Sequence, residues 1–328
     1  MDKKIFIAGV WGFGNISIMQ RFDTDADVTF FENDFKYSLK IAKVWKFING
    51  PFGGYGKRFL RWILSTPLLD KCYALSNYKF NDDEENIVVI FNSALLHYYS
   101  RSYFVRLKRE NPSIKYVLYI IDPMPDGLWK VIEDTMDIFD KVLTIHPYNC
   151  SKYGFEYLPY IYAKPQLTES IEKMPEVDLF YCGVADDYRQ NIVEKIVKKC
   201  ECNKVSFNIF LKPYGNDYIE NKNVYYSEMP YEENVRRVLA SKCILEIMHE
   251  GFVGITQRYL EAIVYNKKLL TNNAEIKNLP YYNERYMQYF EQVEDIDWSW
   301  VGDAEEVEYQ YQDDFGANVW KKKIMELF

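Results

Sequence analysis

Short apolar runs rich in β-branched residues alternate along this chain with longer stretches of helical period, and that alternation constrains the fold most strongly. Runs at residues 4–8, 28–32, 87–91, 116–121 and 141–145 have strand length, and 93–110 and 128–139 have helix length. Parallel strands need a long crossover, usually a helix, so this repetition predicts βαβ units and a parallel sheet. A strand covered by helices on both faces reads as unbroken apolar sequence, as Ile87-Val88-Val89-Ile90-Phe91 and Tyr116-Val117-Leu118-Tyr119-Ile120-Ile121 do. The expectation is a doubly wound α/β domain over 1–163.

Residues 164–177 lose apolar period and carry Pro165 and Pro175 in a polar setting, the character of an interdomain linker. The alternation then restarts, with strands expected at 178–182, 205–211, 243–247 and 268–271 and helices at 187–202, 231–239 and 256–265. This predicts a second α/β domain over 178–310. The tail, 311–328, holds one more helix, near 317–327, with no strand after it, and is expected to pack back on the first domain. A chain of 328 residues is long enough for two such cores. Two facing α/β domains would put a cleft at the carboxyl ends of their strands, where open α/β sheets bind ligands.

Composition excludes several classes. The 40 Lys and Arg against 48 Asp and Glu give a net charge of −8, so a nucleic-acid footprint is not expected. The six cysteines are scattered and no apolar leader core follows Met1-Asp2-Lys3-Lys4, which predicts a cytoplasmic, reduced protein. Cys200 and Cys202 lack a second Cys or His pair, and Asp23-Thr24-Asp25 reads as a solvated turn, so no metal site is predicted. No run reaches the roughly 18 apolar residues of a membrane span. Residues 36–64, however, hold seven basic residues and no acid, interleaved with Trp45, Phe47, Phe52, Tyr55, Phe59 and Trp62. That mixture suits a surface resting on anionic lipid headgroups or facing an anionic lipid-linked substrate; two amphipathic helices with a solvated lysine face are the alternative.

The first strand runs into Gly9-Val10-Trp11-Gly12-Phe13-Gly14-Asn15, a glycine-rich turn expected to open a helix, where backbone amides attract anions. As a dinucleotide fingerprint it has Ser17 in place of the third glycine, with Glu32 near the ribose-binding position. A tight turn that only brings a helix close to the sheet and an acceptor-side loop formed by Gly12, Gly14 and Asn15 are the other readings. In the second half, Phe180-Tyr181-Cys182-Gly183 ends a strand and Arg189 follows at a helix start, which suits a diphosphate. Gly254-Ile255-Thr256-Gln257-Arg258-Tyr259-Leu260-Glu261 repeats the device: glycine for close approach, Thr256 as cap, Arg258 for an anion and Glu261 for ribose hydroxyls. An Arg258–Glu261 ion pair at i,i+3 is the competing explanation.

These two segments, with Lys267-Lys268-Leu269-Leu270-Thr271-Asn272-Asn273 after them, resemble the donor domain of GT-B glycosyltransferases, especially those of bacterial capsule, exopolysaccharide and lipopolysaccharide assembly. In the first half Asp122, Phe139-Asp140-Lys141-Val142 and 153–159 are similar to the same group more loosely. The resemblance implies two Rossmann-like domains facing across a cleft and a C-terminal helix crossing back to the first. It also implies a nucleotide-sugar donor, a UDP-sugar first, a glycan or lipid-linked acceptor, and transfer with no metal or other cofactor. Carried onto this sequence, Arg189 and Arg258 contact the diphosphate, Glu261 the ribose, and Gly183 and Gly254 give backbone access. The paired glutamates of many retaining members are not matched, which leaves the stereochemistry open. An inverting enzyme needs a base on the acceptor hydroxyl, for which Asp122 at a strand end is the first candidate, His97 the second and His146 the third. Two other readings stay open: an NAD-dependent oxidoreductase built on the Gly12 loop, and a non-catalytic nucleotide- or sugar-binding partner. The location expected from all of this is cytoplasmic, peripheral at the inner membrane face through 36–64.

Overall fold

The structure, a computed structural model, describes residues 2–10, 22, 25–31, 67–70, 73–92, 99–121, 126–162, 164, 174–213, 221–249 and 254–328. It divides into two compact units, one formed by Met1–Ile161 with Ala317–Phe328 and the other by Tyr162–Gly316. No helix among the described residues is long and apolar enough to cross a membrane.

The first unit is built on β1 (Lys3–Ala8), β2 (Val28–Phe30), β3 (Glu85–Phe91), β4 (Lys115–Ile120), β5 (Lys141–Thr144) and β6 (Glu156–Tyr157), in sheet order β2-β1-β3-β4-β5-β6. Every pairing is parallel. The central strands are buried on both faces, so their side chains divide between two apolar clusters, Val88 and Tyr116 on one side and Val89 and Val117 on the other. The helix expected over 93–110 is described as α1 (Arg101–Glu110), and Ser100 starts it by accepting a hydrogen bond from the Tyr103 amide at 3.2 Å. Then come α2 (Asp126–Met136) and α3 (Pro147–Tyr153), the latter closed by Gly154 at φ 72°.

The second unit holds β7 (Val177–Ala185), α4 (Asp187–Asn203), β8 (Phe207–Pro213), β9 (Tyr225–Tyr226), α5 (Tyr231–Leu239), β10 (Ser241–Glu246), α6 (Gln257–Val264), β11 (Lys268–Thr271), β12 (Met287–Tyr289) and α7 (Trp298–Gly302). Its sheet order, β12-β11-β10-β7-β8-β9, is the doubly wound order of a dinucleotide-binding domain, again parallel throughout. The edge strands β6, β9 and β12 were not expected from sequence, because two or three residues carry no readable period.

The chain ends in α8 (Ala317–Met325), which belongs to the first unit as expected. Trp320 and Ile324 are buried in the cluster of Ile5, Ile7, Phe22 and Tyr119. Lys321 is gripped by Asp25 at 2.7 Å and Asp27 at 2.8 Å, so the acidic turn serves the terminal helix. At the far end Lys3 Nζ donates to the carbonyls of Met325, at 2.7 Å, and Phe328, at 2.6 Å, capping the helix with a cation where its dipole is negative.

Candidate functional site

In the second unit the strand order reverses between β7 and β10, since the chain goes on from β7 to β8 on one side and from β10 to β11 on the other. Crossovers leave such neighbours in opposite directions, and the crevice outside their carboxyl ends is where doubly wound sheets take ligands. Leaving β7, the chain turns at Asp186, whose Oδ1 accepts from the Arg189 amide at 2.9 Å and so opens α4. Leaving β10, it passes Ile247, Met248 and His249. Arg189 spans the two strand ends: its Nε donates to the Ile247 carbonyl at 3.0 Å, and Nη1 lies 3.3 Å from His249 Nε2 and 3.5 Å from Asp186 Oδ2. His249 Nδ1 is in turn 3.3 Å from Asp186 Oδ2. Burial and the guanidinium hold the imidazole below its ordinary proton affinity, against the pull of Asp186. Asn272, just past β11, ties in the third strand end by accepting from the Met248 amide at 2.7 Å and donating to the Tyr188 hydroxyl at 3.2 Å.

Beneath this surface lies a buried polar set. Glu246, the last residue of β10, is fully enclosed and accepts from the hydroxyls of Thr256 and Thr271; burial pushes its carboxyl up and the two hydroxyls pull it back. Thr256 also caps α6, accepting from the Tyr259 amide at 3.2 Å. Gly254 precedes it at φ 134°, a conformation side-chain-bearing residues rarely adopt, and its carbonyl accepts from Asn273 at 2.8 Å. Arg258 turns inward, donating to Asn234 Oδ1 at 2.8 Å and pairing with Glu261 Oε2. Glu261 Oε1 accepts from Asn234 Nδ2 at 2.8 Å and Gln257 Nε2 at 3.2 Å. Glu261 is 0% exposed. Burial pushes its carboxyl up, and Arg258 with the two amides opposes that shift.

Of the residues singled out from sequence, Arg189, Gly254 and Thr256 stand at or beside these strand ends. Arg258 and Glu261 lie one level deeper, satisfied by one another and by Asn234. Gly183 makes room for a neighbour: a Cβ there would collide with the Tyr181 hydroxyl and lie 2.6 Å from its Cζ. That hydroxyl is buried and has no hydrogen-bond partner among the described residues, and it sits in the fields of both Arg189 and Arg258. His146 opens α3 in the first unit, and burial lowers its imidazole to about 4. Asp122, His97, Gly12, Gly14, Asn15 and the segment 36–64 lie outside the described residues. Cys200 is buried and Cys202 exposed, and among the described residues no three His, Cys, Asp or Glu side chains could hold a metal ion. Asp186 and His249 were not expected from sequence. An Asp directly before a helix start is a readable cap, but nothing in the sequence marks His249 as lying on the far side of the same crevice.

No protein-family profile matches the sequence, and comparison with curated proteins gives no match. Solved structures do match in fold. An α,α-trehalose-phosphate synthase (UDP-forming) from Burkholderia xenovorans, determined with glucose-6-phosphate, aligns with TM-score 0.58 at 10% identity over 99% of both chains. A UDP-N-acetylglucosamine 2-epimerase from Rickettsia bellii aligns with TM-score 0.53 at 10% identity, over 100% of this chain and 97% of its own. A trehalose-6-phosphate synthase gives TM-score 0.50 at 9% identity, over 82% of this chain and 84% of its own. With two parallel six-stranded sheets and alignment over the whole length, the fold is GT-B.

Proposed function

We propose that this chain is a glycosyltransferase that moves a sugar from a nucleotide-sugar donor, a UDP-sugar first, to a glycan or lipid-linked acceptor in bacterial surface polysaccharide synthesis. The observation that carries the reading is Arg189, stretched across the switch crevice of a GT-B domain at the opening of a helix. Departure of a nucleoside diphosphate leaves negative charge on the phosphate oxygens. A guanidinium fork and unsatisfied amides at a helix N-terminus can stabilise that charge without reorganising. The UDP-forming neighbour favours uridine as the base.

In this reading Arg189 makes the first contact with the diphosphate, Gly183 and Gly254 border it, and Thr256 holds the α6 end that borders it. Arg258 and Glu261 reach diphosphate and ribose only by exchanging contacts they now make with each other and with Asn234. Asp122, then His97, takes the acceptor proton, and Gly12, Gly14 and Asn15 line the acceptor side. The guanidinium and helix terminus supply the positive charge that a divalent cation supplies elsewhere, so transfer is expected to persist in a chelator. Residues 36–64 hold the protein at the inner membrane face.

The test is a thermal-shift panel of UDP, GDP, dTDP, CMP, ADP and NAD on wild type and Arg189→Ala. A ligand at about 100 times its Kd stabilises by roughly 2.7 kcal/mol. A shift with one nucleoside diphosphate that the variant loses is the expected result. A shift with NAD alone, or equal diphosphate shifts in both proteins, refutes the assignment. Release of that diphosphate from its nucleotide sugar, dependent on added acceptor, then separates transfer from epimerisation and from binding without turnover.

A further inference from the structure

The proposed chemistry leaves His249 unused, although the crevice is built around it. The ring is half exposed, with Nδ1 3.3 Å from Asp186 Oδ2 and Nε2 3.3 Å from Arg189 Nη1. A guanidinium has donors only, so Nε2 must be the acceptor, and the ring hydrogen then sits on Nδ1 facing the carboxylate. In this arrangement Arg189 holds the imidazole neutral and in one tautomer. Asp186 and Arg189, both at the start of α4, are the charged groups facing the ring among the described residues; on its own strand-end loop the neighbour fixed by Asn272 is uncharged Met248.

Arg189 cannot serve His249 and an arriving diphosphate equally. Its Nε stays on the Ile247 carbonyl, which anchors the side chain, while Nη1 can exchange His249, at 3.3 Å, and Asp186, at 3.5 Å, for phosphate oxygens. We propose that His249 is a second contact to the donor diphosphate, and that it becomes one by taking a proton from solvent when the diphosphate draws the Arg189 Nη groups away. The exchange balances: one proton enters at Nε2, the Nη1–Nε2 hydrogen bond breaks, and an Nε2–H bond to a phosphate oxygen forms. Asp186 stays on Nδ1–H and supports the imidazolium, as second partners do for metal- and substrate-bound histidines. The inference rests on the diphosphate reading of this crevice.

The consequence is proton uptake on binding, with affinity falling as pH rises between the free and bound proton affinities of His249. The probes are UDP-glucose and GDP-mannose, because both phosphates are esterified and neither titrates near neutrality. Calorimetric titration in two buffers of different ionisation enthalpy, at about pH 6.5, counts the protons; repeating it at about pH 5.5 and 7.5 gives the affinity profile. Wild type is expected to take up a sizeable fraction of one proton and to lose about tenfold in affinity across that range. His249→Gln, which keeps an acceptor but cannot titrate, is expected to bind with no uptake and a flat profile. Binding by wild type with identical heats in both buffers, or the same uptake by His249→Gln, overturns the inference and leaves the diphosphate site standing. Binding of neither probe at any pH, with the panel above also silent, removes both.

Discussion

Arg258→Ala is expected to unsettle the fold before it says anything about ligand. In the wild type the guanidinium faces a carboxylate with no exposure to water, and one asparagine clamps both partners. Burying two charges is costly, but removing only one costs more, because the other stays desolvated and uncompensated; measured losses are about 3–5 kcal/mol. For a unit of roughly 150 residues that is a fall in Tm of about 6–20 °C. The same geometry gives the effect a pH signature. Without Arg258, burial raises the Glu261 carboxyl further above its unfolded value, so the penalty is full above the folded pKa and fades as pH falls through it. The deficit relative to wild type should therefore be large near pH 7 and visibly smaller near about pH 5. Differential scanning calorimetry of both proteins at the two pH values measures it. A loss under about 1 kcal/mol, or a deficit indifferent to pH, would mean the pair is not the buried, mutually dependent unit described. Arg189→Ala, by contrast, removes a partly exposed side chain and is expected to cost under about 2 kcal/mol, which is why it serves as the probe of nucleotide binding.

Three further outcomes follow from the same packing. Trp320→Ala, which empties the place of a buried ring against Phe22 and Tyr119, should destabilise the first unit by about 3–5 kcal/mol, read by denaturant unfolding; near-neutrality would show that α8 is dispensable there. Gly254→Ala forces a Cβ onto φ 134° and should cost about 1–3 kcal/mol while lowering nucleotide affinity, whereas unchanged values of both would show that the turn is not constrained. The Asp25 carboxyl is pushed up by burial, but Lys321 and the Asp27 amide pull it lower overall, so its contribution is present above the unfolded pKa and lost as pH falls through the folded one. Lys321→Met should therefore be less stable than wild type at neutral pH and converge with it in acid, and parallel acid-unfolding curves would refute the pairing.

The fold was legible because it rests on what sequence displays well. Ile87–Phe91 and Tyr116–Ile121 advertise burial on both faces, and the interior of a parallel sheet has no other way to be written. The Thr256 cap was legible for the same reason, a threonine directly before Gln257 being a local signal complete within four residues, whereas Asp186 before Asp187 is a signal of the same kind that was not singled out. The site itself is assembled differently. Arg189 and His249 are 60 positions apart and meet because β7 and β10 are neighbours in a sheet whose order reverses between them.

The same distinction explains why Arg258 and Glu261 look like ligand residues in sequence and behave as structure in this fold. Their i,i+3 spacing is compatible with a pair reaching outward or inward, and Asn234 on α5 satisfies both when they turn inward. That asparagine donates to one partner and accepts from the other, so both charges are held by neighbours inside the unit. Arg189 is the opposite case, with its Nε on a fixed carbonyl and its Nη1 on the half-exposed His249 and at 3.5 Å from Asp186. A binding site needs donors that are positioned yet not used up, and in this unit that description fits Arg189 and, once protonated, His249.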